Sequence, residues 1–364
     1  MCMSPMDHFL RSHILKNQTP RHTSAIHTSV RHSSDKILTG DRATGPLHIG
    51  HFVGSLQQRV ILQEQYQQTI LVADMQGLTD NGYHPEKVSS NILNVVADYL
   101  CVGIDPLKTT ICLQSAIPAL AELTMYYANL VSVARLQRNP TVKSEIANKS
   151  FGQSIPAGFL TYPISQAADI TAFNGTLIPV GEDQLPLLEQ TNEIVRKINA
   201  IAGENILSEC RALLSKVPRL PGADGKNKMS KSMHNSLLLS ASEKDISRVV
   251  KAMYTDPKHI NINDAGQVEG NVVFTYLDAF HTDCEYVENL KRQYRAGGLG
   301  DGKTKKILEE CLQDLLRPMR ERRLVLMNDK AQLLEILKQG TARSQEEANQ
   351  VLHRVKGAFG LNLF

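Results

Sequence analysis

Hydrophobic positions along this chain follow two rhythms. KILTG at 36–40, TILVA at 69–73, TTICLQ at 109–114 and TLIPV at 176–180 are short continuous runs, rich in β-branched residues. Such runs predict strands buried on both faces, the pattern of a parallel sheet. Between them apolar residues recur every three or four positions. This predicts helices from 50 to about 67 (Val53, Leu56, Val60, Ile61), from 85 to about 100, from 118 to about 136 and from 185 to 199. Phe159–Pro163 opens a further segment that carries AADI at 167–170. Beyond about residue 235 strand-like runs become rare, and helical spacing dominates at 243–254, 272–280, 303–323 and 331–359. The order predicts an α/β fold, a mostly parallel sheet with a smaller helical region packed behind it. In such sheets ligands bind beyond the strand C-termini, where GDRATG, Asp74 and GEDQ fall.

Composition narrows this little. The 364 residues are 42% hydrophobic and 21% charged, ordinary for a globular chain of about two domains. No stretch approaches 18 uninterrupted apolar residues, which excludes a membrane-spanning helix. The net charge of +3 resides in the first 36 residues, with five Lys/Arg against two Asp. The remaining 328 balance, so a nucleic-acid surface must be a local patch rather than a basic body. Residues 1–35, with five of the twelve histidines and many Ser and Thr, are expected to be a disordered extension without a secretory signal. The six cysteines, at 2, 101, 112, 210, 284 and 311, form no CxxC and no zinc spacing. Free thiols in a reducing, cytoplasmic compartment are the expectation, with no metal site.

Two segments carry chemistry. Gly40-Asp41-Arg42-Ala43-Thr44-Gly45-Pro46-Leu47-His48-Ile49-Gly50-His51 runs from a strand through a glycine turn into a helix. A helix start offers free N–H groups to phosphate, and two histidines three apart present to one side. The segment is neither GxxxxGK[ST] nor GxGxxG. Gly222-Ala223-Asp224-Gly225-Lys226-Asn227-Lys228-Met229-Ser230-Lys231-Ser232 places three lysines within six residues behind two glycines, a loop able to bring ammonium groups to a polyphosphate.

His48-Ile49-Gly50-His51 and Lys228-Met229-Ser230-Lys231-Ser232 are the full HIGH and KMSKS signatures of class I aminoacyl-tRNA synthetases, 180 residues apart and in the expected order. Within that class the chain resembles the bacterial-type tryptophanyl-tRNA synthetase family over roughly residues 36–364. LTYPISQAADI (160–170), IPVGEDQ (178–184), GNVVFTYLDAF (270–280) and LRPMRERR (316–323) add to the likeness. The resemblance implies a Rossmann-like catalytic domain at 36–215, a mobile KMSKS loop at 216–235, and a helical anticodon-binding region at 236–364 whose last helices pack back on the first domain. It implies activation of L-tryptophan by ATP to tryptophanyl-adenylate, then transfer to the 3′ end of tRNA(Trp) by a homodimer. Positioning and charge stabilisation carry such chemistry without a protein nucleophile.

The resemblance also implies roles. Arg42, Ala43, Thr44, Gly45, Gly50 and His51 form the ATP cradle, with His48 and His51 at the phosphates. Arg42 stands where many relatives have glutamine, and Ala43 where many have proline. Gly181, Glu182 and Asp183 meet adenosine, and Leu220 contacts adenine through its backbone. Lys228 and Lys231, with Met229, Ser230 and Ser232 beside them, grip the β- and γ-phosphates. Mg²⁺ is carried by the ATP phosphates. Asp169 accepts the indole N–H, Tyr162 and Gln184 orient the α-amino group, Gln166 lines the indole site where many relatives have methionine, and Gln76 lies on the carboxylate side.

A basic stretch at 291–323 is the expected tRNA surface: Lys291, Arg292, Arg295, Lys303, Lys305, Lys306, Arg317, Arg320, Arg322 and Arg323 against five acidic residues. The dimer interface is expected on the Val95/Val96/Tyr99/Leu100 face and in 116–136. Two other readings stay open: a tyrosyl-tRNA synthetase, and a catalytically silent RNA-binding or regulatory paralogue on the same scaffold.

Overall fold

The computed structural model describes residues 35–149, 151, 154–214, 220–225, 229 and 235–363. The expected extension at 1–35 lies outside the described residues except Asp35, and so do Lys228, Ser230, Lys231 and Ser232.

Five parallel strands are described: β1 (Lys36–Asp41), β2 (Gln67–Val72), β3 (Thr109–Leu113), β4 (Leu177–Val180) and β5 (Arg211–Leu214), in the order β3-β2-β1-β4-β5. The order reverses between β1 and β4, which leaves a crevice at their C-terminal ends. Along β2, Ile70 and Val72 face one hydrophobic core and Leu71 faces another. A strand sandwiched in this way reads as a continuous apolar run, which is why β1 to β4 stand out in the sequence. β5, half-exposed at the sheet edge, has no such run and is missed.

The first helical stretch is shorter than its spacing predicts. α1 (Ile49–His51) passes through a π-helical turn (Phe52–Leu56) into α2 (Gln57–Leu62), and Gln67 already belongs to β2. After β2 come α3 (Asp74–Gly77), α4 (Glu86–Ser89) and α5 (Ile92–Cys101), where one helix was expected over 85–100. Past β3 and a 3-10 turn (Gln114–Ala116), the helix expected over 118–136 is two, α6 (Pro118–Ala128) and α7 (Val133–Arg138). Ser132 starts α7 by accepting the Arg135 N–H, and Asn139 likewise caps α8 (Pro140–Asn148) through the Thr141 N–H. α9 (Ala157–Ala172) is one unbroken helix despite Pro163 inside it. α10 (Leu185–Ala202) follows β4 and a 3-10 turn (Glu182–Gln184), and ends at the left-handed Gly203.

The remaining helices are α11 (Glu243–Ala252), α12 (Val272–Phe280), α13 (Cys284–Ala296), α14 (Asp301–Asn328) and α15 (Lys330–Ala358). They do not merely sit behind the sheet. Leu333 and Leu337 of α15 join the core on one face, and Ala348, Val351, Leu352 and Val355 join the other. The helix crosses the β3 edge so closely that a Cβ on Gly340 would stand 2.0 Å from the Ile111 carbonyl oxygen. Thr341 Oγ1 accepts the Leu113 N–H at 3.0 Å, covering an otherwise open edge. No helix among the described residues is long and apolar enough to cross a membrane.

The α5 face expected at a dimer interface is core instead. Val95, Val96 and Tyr99 are fully buried within the chain, packed beneath α14, so they present no surface to a second copy.

Candidate active site

A cavity of about 320 Å³ opens in the crevice between β1 and β4. β1 contributes Leu38 to Asp41 and then Arg42, β4 contributes Ile178 to Val180, and α9 presents Tyr162, Gln166 and Asp169. These three stand at i, i+4 and i+7 of one helix, which places them on one face. Gln76 from α3 and Gln184 from the turn after β4 also line it. The structure thus gathers Arg42 and all five residues assigned to the amino-acid pocket.

Asp169 is 4% exposed, and burial pushes its carboxyl up to about 7, although the Gln114 amide pulls it back. Gln114 Nε2 donates to both Asp169 oxygens, at 3.1 and 2.9 Å. The Tyr162 hydroxyl is buried without a hydrogen-bond partner among the described residues. Burial first, and then the nearby Glu145 carboxylate, raise its pKa and keep it a neutral phenol. A buried hydroxyl of this kind is set for a polar group that arrives with a ligand.

The histidine signature caps its own helix. Gly50 N donates to His48 Nδ1 at 3.1 Å, and His48 N donates to His51 Nδ1 at 3.2 Å, a reciprocal capping box with the rings 3.8 Å apart. Because each Nδ1 accepts, the proton of each neutral ring lies on Nε2. Gly50 is required by close approach: a Cβ there would meet His48 Nδ1 at 2.9 Å and Met229 Sδ at 3.1 Å.

Met229 therefore packs directly against the histidine segment, and it is buried. The backbone tightens the same junction. Ile49 N donates to Leu237 O at 2.9 Å and Leu239 N to Leu47 O at 3.0 Å, while Ala223 N donates to Asn235 O at 3.0 Å and closes the neck of the loop. Tyr276 of α12 donates its hydroxyl to Pro221 O at 2.8 Å, so the GNVVFTYLDAF segment buttresses that neck. Leu220 packs into the core, so only its backbone can face a nucleotide. Ala43 is fully buried and is restricted in the same way, while Thr44 and Gly45 continue the turn. Past β4, Asp183 folds over Gly181, whose added Cβ would stand 2.7 Å from Asp183 Oδ1, and Glu182 is exposed.

Sequence reasoning missed several groups here. Arg59 of α2, 3% exposed, donates from Nη1 to Asp41 Oδ2 at 2.6 Å, and Tyr99 Oη donates to the same oxygen at 2.8 Å. Burial would raise the Asp41 carboxyl, but the charges of Arg59 and His51 and these hydrogen bonds hold it below the usual range. An arginine between Leu56 and Val60 on an otherwise apolar face was the available signal. Asp80 takes Arg42 at 3.3 Å and also Lys149, at the rim of the cavity.

The expected tRNA patch divides. Arg323 of α14 turns inward, with Nε 2.6 Å from the fully buried Asp98, and Arg322 donates to Cys101 O. Both tie α14 to α5, and neither is among the exposed residues of the stretch. Arg320 is bound by Ala241 O and Glu243, and Lys291 by Asp278 and Glu288. Lys305 donates to Lys251 O. Arg292, Arg295, Lys303, Lys306 and Arg317 are exposed, though Arg295 pairs with Glu269 and Arg317 with Asp314.

The family model described as tRNA synthetases class I (W and Y) matches residues 31–317. A protein named tryptophan–tRNA ligase from Clostridium longisporum is 54% identical over 332 residues, 90% of this chain and 97% of that one. Another of that name, from Streptococcus pneumoniae serotype 4, is 51% identical over 90% of this chain and 98% of its own. Among solved structures, tryptophanyl-tRNA synthetase from Campylobacter jejuni complexed with ADP and tryptophan superposes with a TM-score of 0.80. It is 30% identical and covers 90% of this chain and 100% of that one.

Proposed function

This chain belongs to the class I tRNA synthetases (W and Y), and from that premise we infer how its cavity works. The activity is ligation of tryptophan to tRNA. Relatives more than half identical across nearly the whole chain are tryptophan–tRNA ligases, which supports this reading over the tyrosyl one. The observation that carries the amino-acid assignment is the α9 face, where a buried carboxylate, a buried unpartnered phenol and Gln166 line one cavity.

The tryptophan carboxylate attacks the α-phosphorus of ATP, and pyrophosphate leaves. The ribose hydroxyl at the tRNA 3′ end then attacks the carbonyl of the adenylate and releases AMP. Asp169 accepts the indole N–H, and a side chain without that donor leaves the buried carboxylate unmet, which is the basis of rejection. Tyr162 Oη and Gln184 take the α-amino group, and Gln76 lies toward the carboxylate. His48 and His51 donate from Nε2 to phosphoryl oxygens as charge grows there. Arg42 adds a cation to the same region, and Asp183 accepts from the ribose hydroxyls. Lys228 and Lys231, by resemblance, reach the outer phosphates, and Met229 between them lies against Gly50. Mg²⁺, by resemblance, would be held by the ATP phosphates and would neutralise part of their charge there.

Arg292, Lys303, Lys306 and Arg317 form our assigned tRNA surface, within the helical region that we take as 236–364. We place the enzyme in the cytoplasm as a homodimer.

The test is amino-acid-dependent ATP–pyrophosphate exchange with tryptophan and tyrosine in parallel. Exchange with tryptophan alone, lost in Asp169→Ala, is expected. Exchange with tyrosine would overturn the substrate, and unaltered exchange in Asp169→Ala would overturn the residue.

A further inference from the structure

Behind the cavity, one amide joins its two ends. Gln114, 2% exposed in the 3-10 turn after β3, does not line the cavity. Its Oε1 accepts the Gln76 backbone N–H at 3.0 Å. A backbone N–H can only donate, so this bond fixes which end of the amide is oxygen. The Nε2 end must then face α9, where it donates to both oxygens of Asp169. The turn is pinned in its own right: Asp74, past β2, accepts from the Ser115 backbone N–H at 2.9 Å and from the Ser115 hydroxyl. Gln114 therefore cannot rotate to offer its oxygen to Asp169.

The consequence concerns what Asp169 presents to a ligand. A buried carboxyl without donors tends to take up a proton, and a protonated carboxyl offers one oxygen that is no longer an acceptor. The Gln114 N–H groups oppose this by favouring the charged form. They also hold the carboxylate plane while leaving acceptor capacity for one more donor.

We propose that Gln114 is a specificity-determining positioning residue, whose amide keeps Asp169 an oriented acceptor and so makes the cavity demand an indole N–H. The proposal rests on Asp169 being that acceptor, and it adds a residue that neither touches the substrate nor lines the cavity.

The test pairs a protein change with a ligand change. ATP–pyrophosphate exchange is measured with tryptophan and with its benzothiophene isostere, in which sulfur replaces the indole N–H. Wild type, Gln114→Met, Gln114→Glu and Asp169→Asn are compared. Gln114→Met keeps the side chain's length but removes the donor, and tryptophan kcat/KM is expected to fall at least about tenfold, the scale of a hydrogen bond to a charged group. The fall should appear in KM for tryptophan and spare KM for ATP. With the isostere, which has no donor to lose, kcat/KM should change less than about twofold, so the preference for tryptophan collapses. Gln114→Glu retains the acceptor for Gln76 N–H and should show the same collapse, which keeps the proposal testable if the methionine variant does not fold.

Equal losses with both ligands would make Gln114 a structural residue and overturn the proposal. If Asp169→Asn lowers the preference while neither Gln114 variant does, only the role of Gln114 fails. If Asp169→Asn leaves the preference intact, Asp169 is not the acceptor, and the premise fails first.

Discussion

The two ends of the cleft are built on opposite principles. At the amino-acid end, Asp169, Gln114 and Asp74 are buried, and each carboxylate is held by a neighbour before any ligand arrives. At the nucleotide end, Arg42 is 44% exposed and paired to a rim carboxylate, and the capping box is made of histidines and backbone. A buried network discriminates because a missing partner is costly there, whereas an exposed charge attracts any polyphosphate and discriminates little. On the proposed assignment, specificity and general affinity are separated within one cavity, between α9 on one side and the turn after β1 on the other.

The sharpest way to break this contrast is Asp169→Asn. Burial holds the Asp169 carboxyl near 7, above its ordinary 3.8, so its charged form is disfavoured in the folded state. For a raised carboxyl the folded chain binds the extra proton, and stability falls as pH rises from about 4 to about 7. Above 7 the whole cost is present, on the order of a few kcal/mol. Asparagine removes it. Tryptophan activation at pH 8 should drop about 100-fold while the melting temperature rises, and the gain in stability should shrink at pH 5. A variant both inactive and less stable would show that the carboxylate stabilises the fold.

Next in size is the junction of the two signatures. Gly50→Ala would drive a methyl into His48 and Met229, displacing the capping box and Met229 together. Exchange should fall roughly thirtyfold, because a small displacement of catalytic donors is costly, with little change in KM for tryptophan. A loss confined to tryptophan KM would mean the two ends are not separable.

How much of this was readable follows from where each residue's partners lie along the chain. β1 to β4 announce themselves because strands buried on both faces must be apolar throughout, and β5, exposed at the edge, is silent. Ser132 and Asn139 break a helical rhythm that the apolar spacing alone carries on. Tyr162, Gln166 and Asp169 were available as an i, i+4, i+7 set, although Pro163 hides the helix that aligns them. Gln114 was not available, since its role exists only because β3 ends against α9, 55 residues further along. Arg322 and Arg323 misled for the same reason. In sequence they extend a basic stretch, yet in space they reach α5, more than 200 residues earlier.

The pH response of the wild type gives a smaller effect. Below about pH 7 Asp169 gains a proton and ceases to be a full acceptor, so tryptophan kcat/KM should fall by up to about tenfold per unit. The dependence should be absent in Asp169→Asn, and in wild type it should appear in KM for tryptophan. A profile that Asp169→Asn does not alter would place the titrating group elsewhere.

The smallest effect tests the nucleotide end alone. Asp80 has a side chain 8% exposed, and it holds both Arg42 and Lys149. Burial by itself would raise its pKa, but the Lys149 hydrogen bond and the two cations bring it below the ordinary value, so it is a fixed negative charge. On the proposed assignment of Arg42 to the ATP phosphates, it competes with ATP for Arg42. Asp80→Asn keeps the shape and removes the charge. Since a pair whose arginine is 44% exposed is worth under about 1 kcal/mol, KM for ATP should fall only about threefold, and less in high salt. Tryptophan KM should not move, because among the described residues no hydrogen bond runs directly from Asp80 to Gln114 or Asp169. A rise in ATP KM would reverse the role of Asp80, from a competitor for Arg42 to the group that aims it, and the nucleotide end would then be as preorganised as the other.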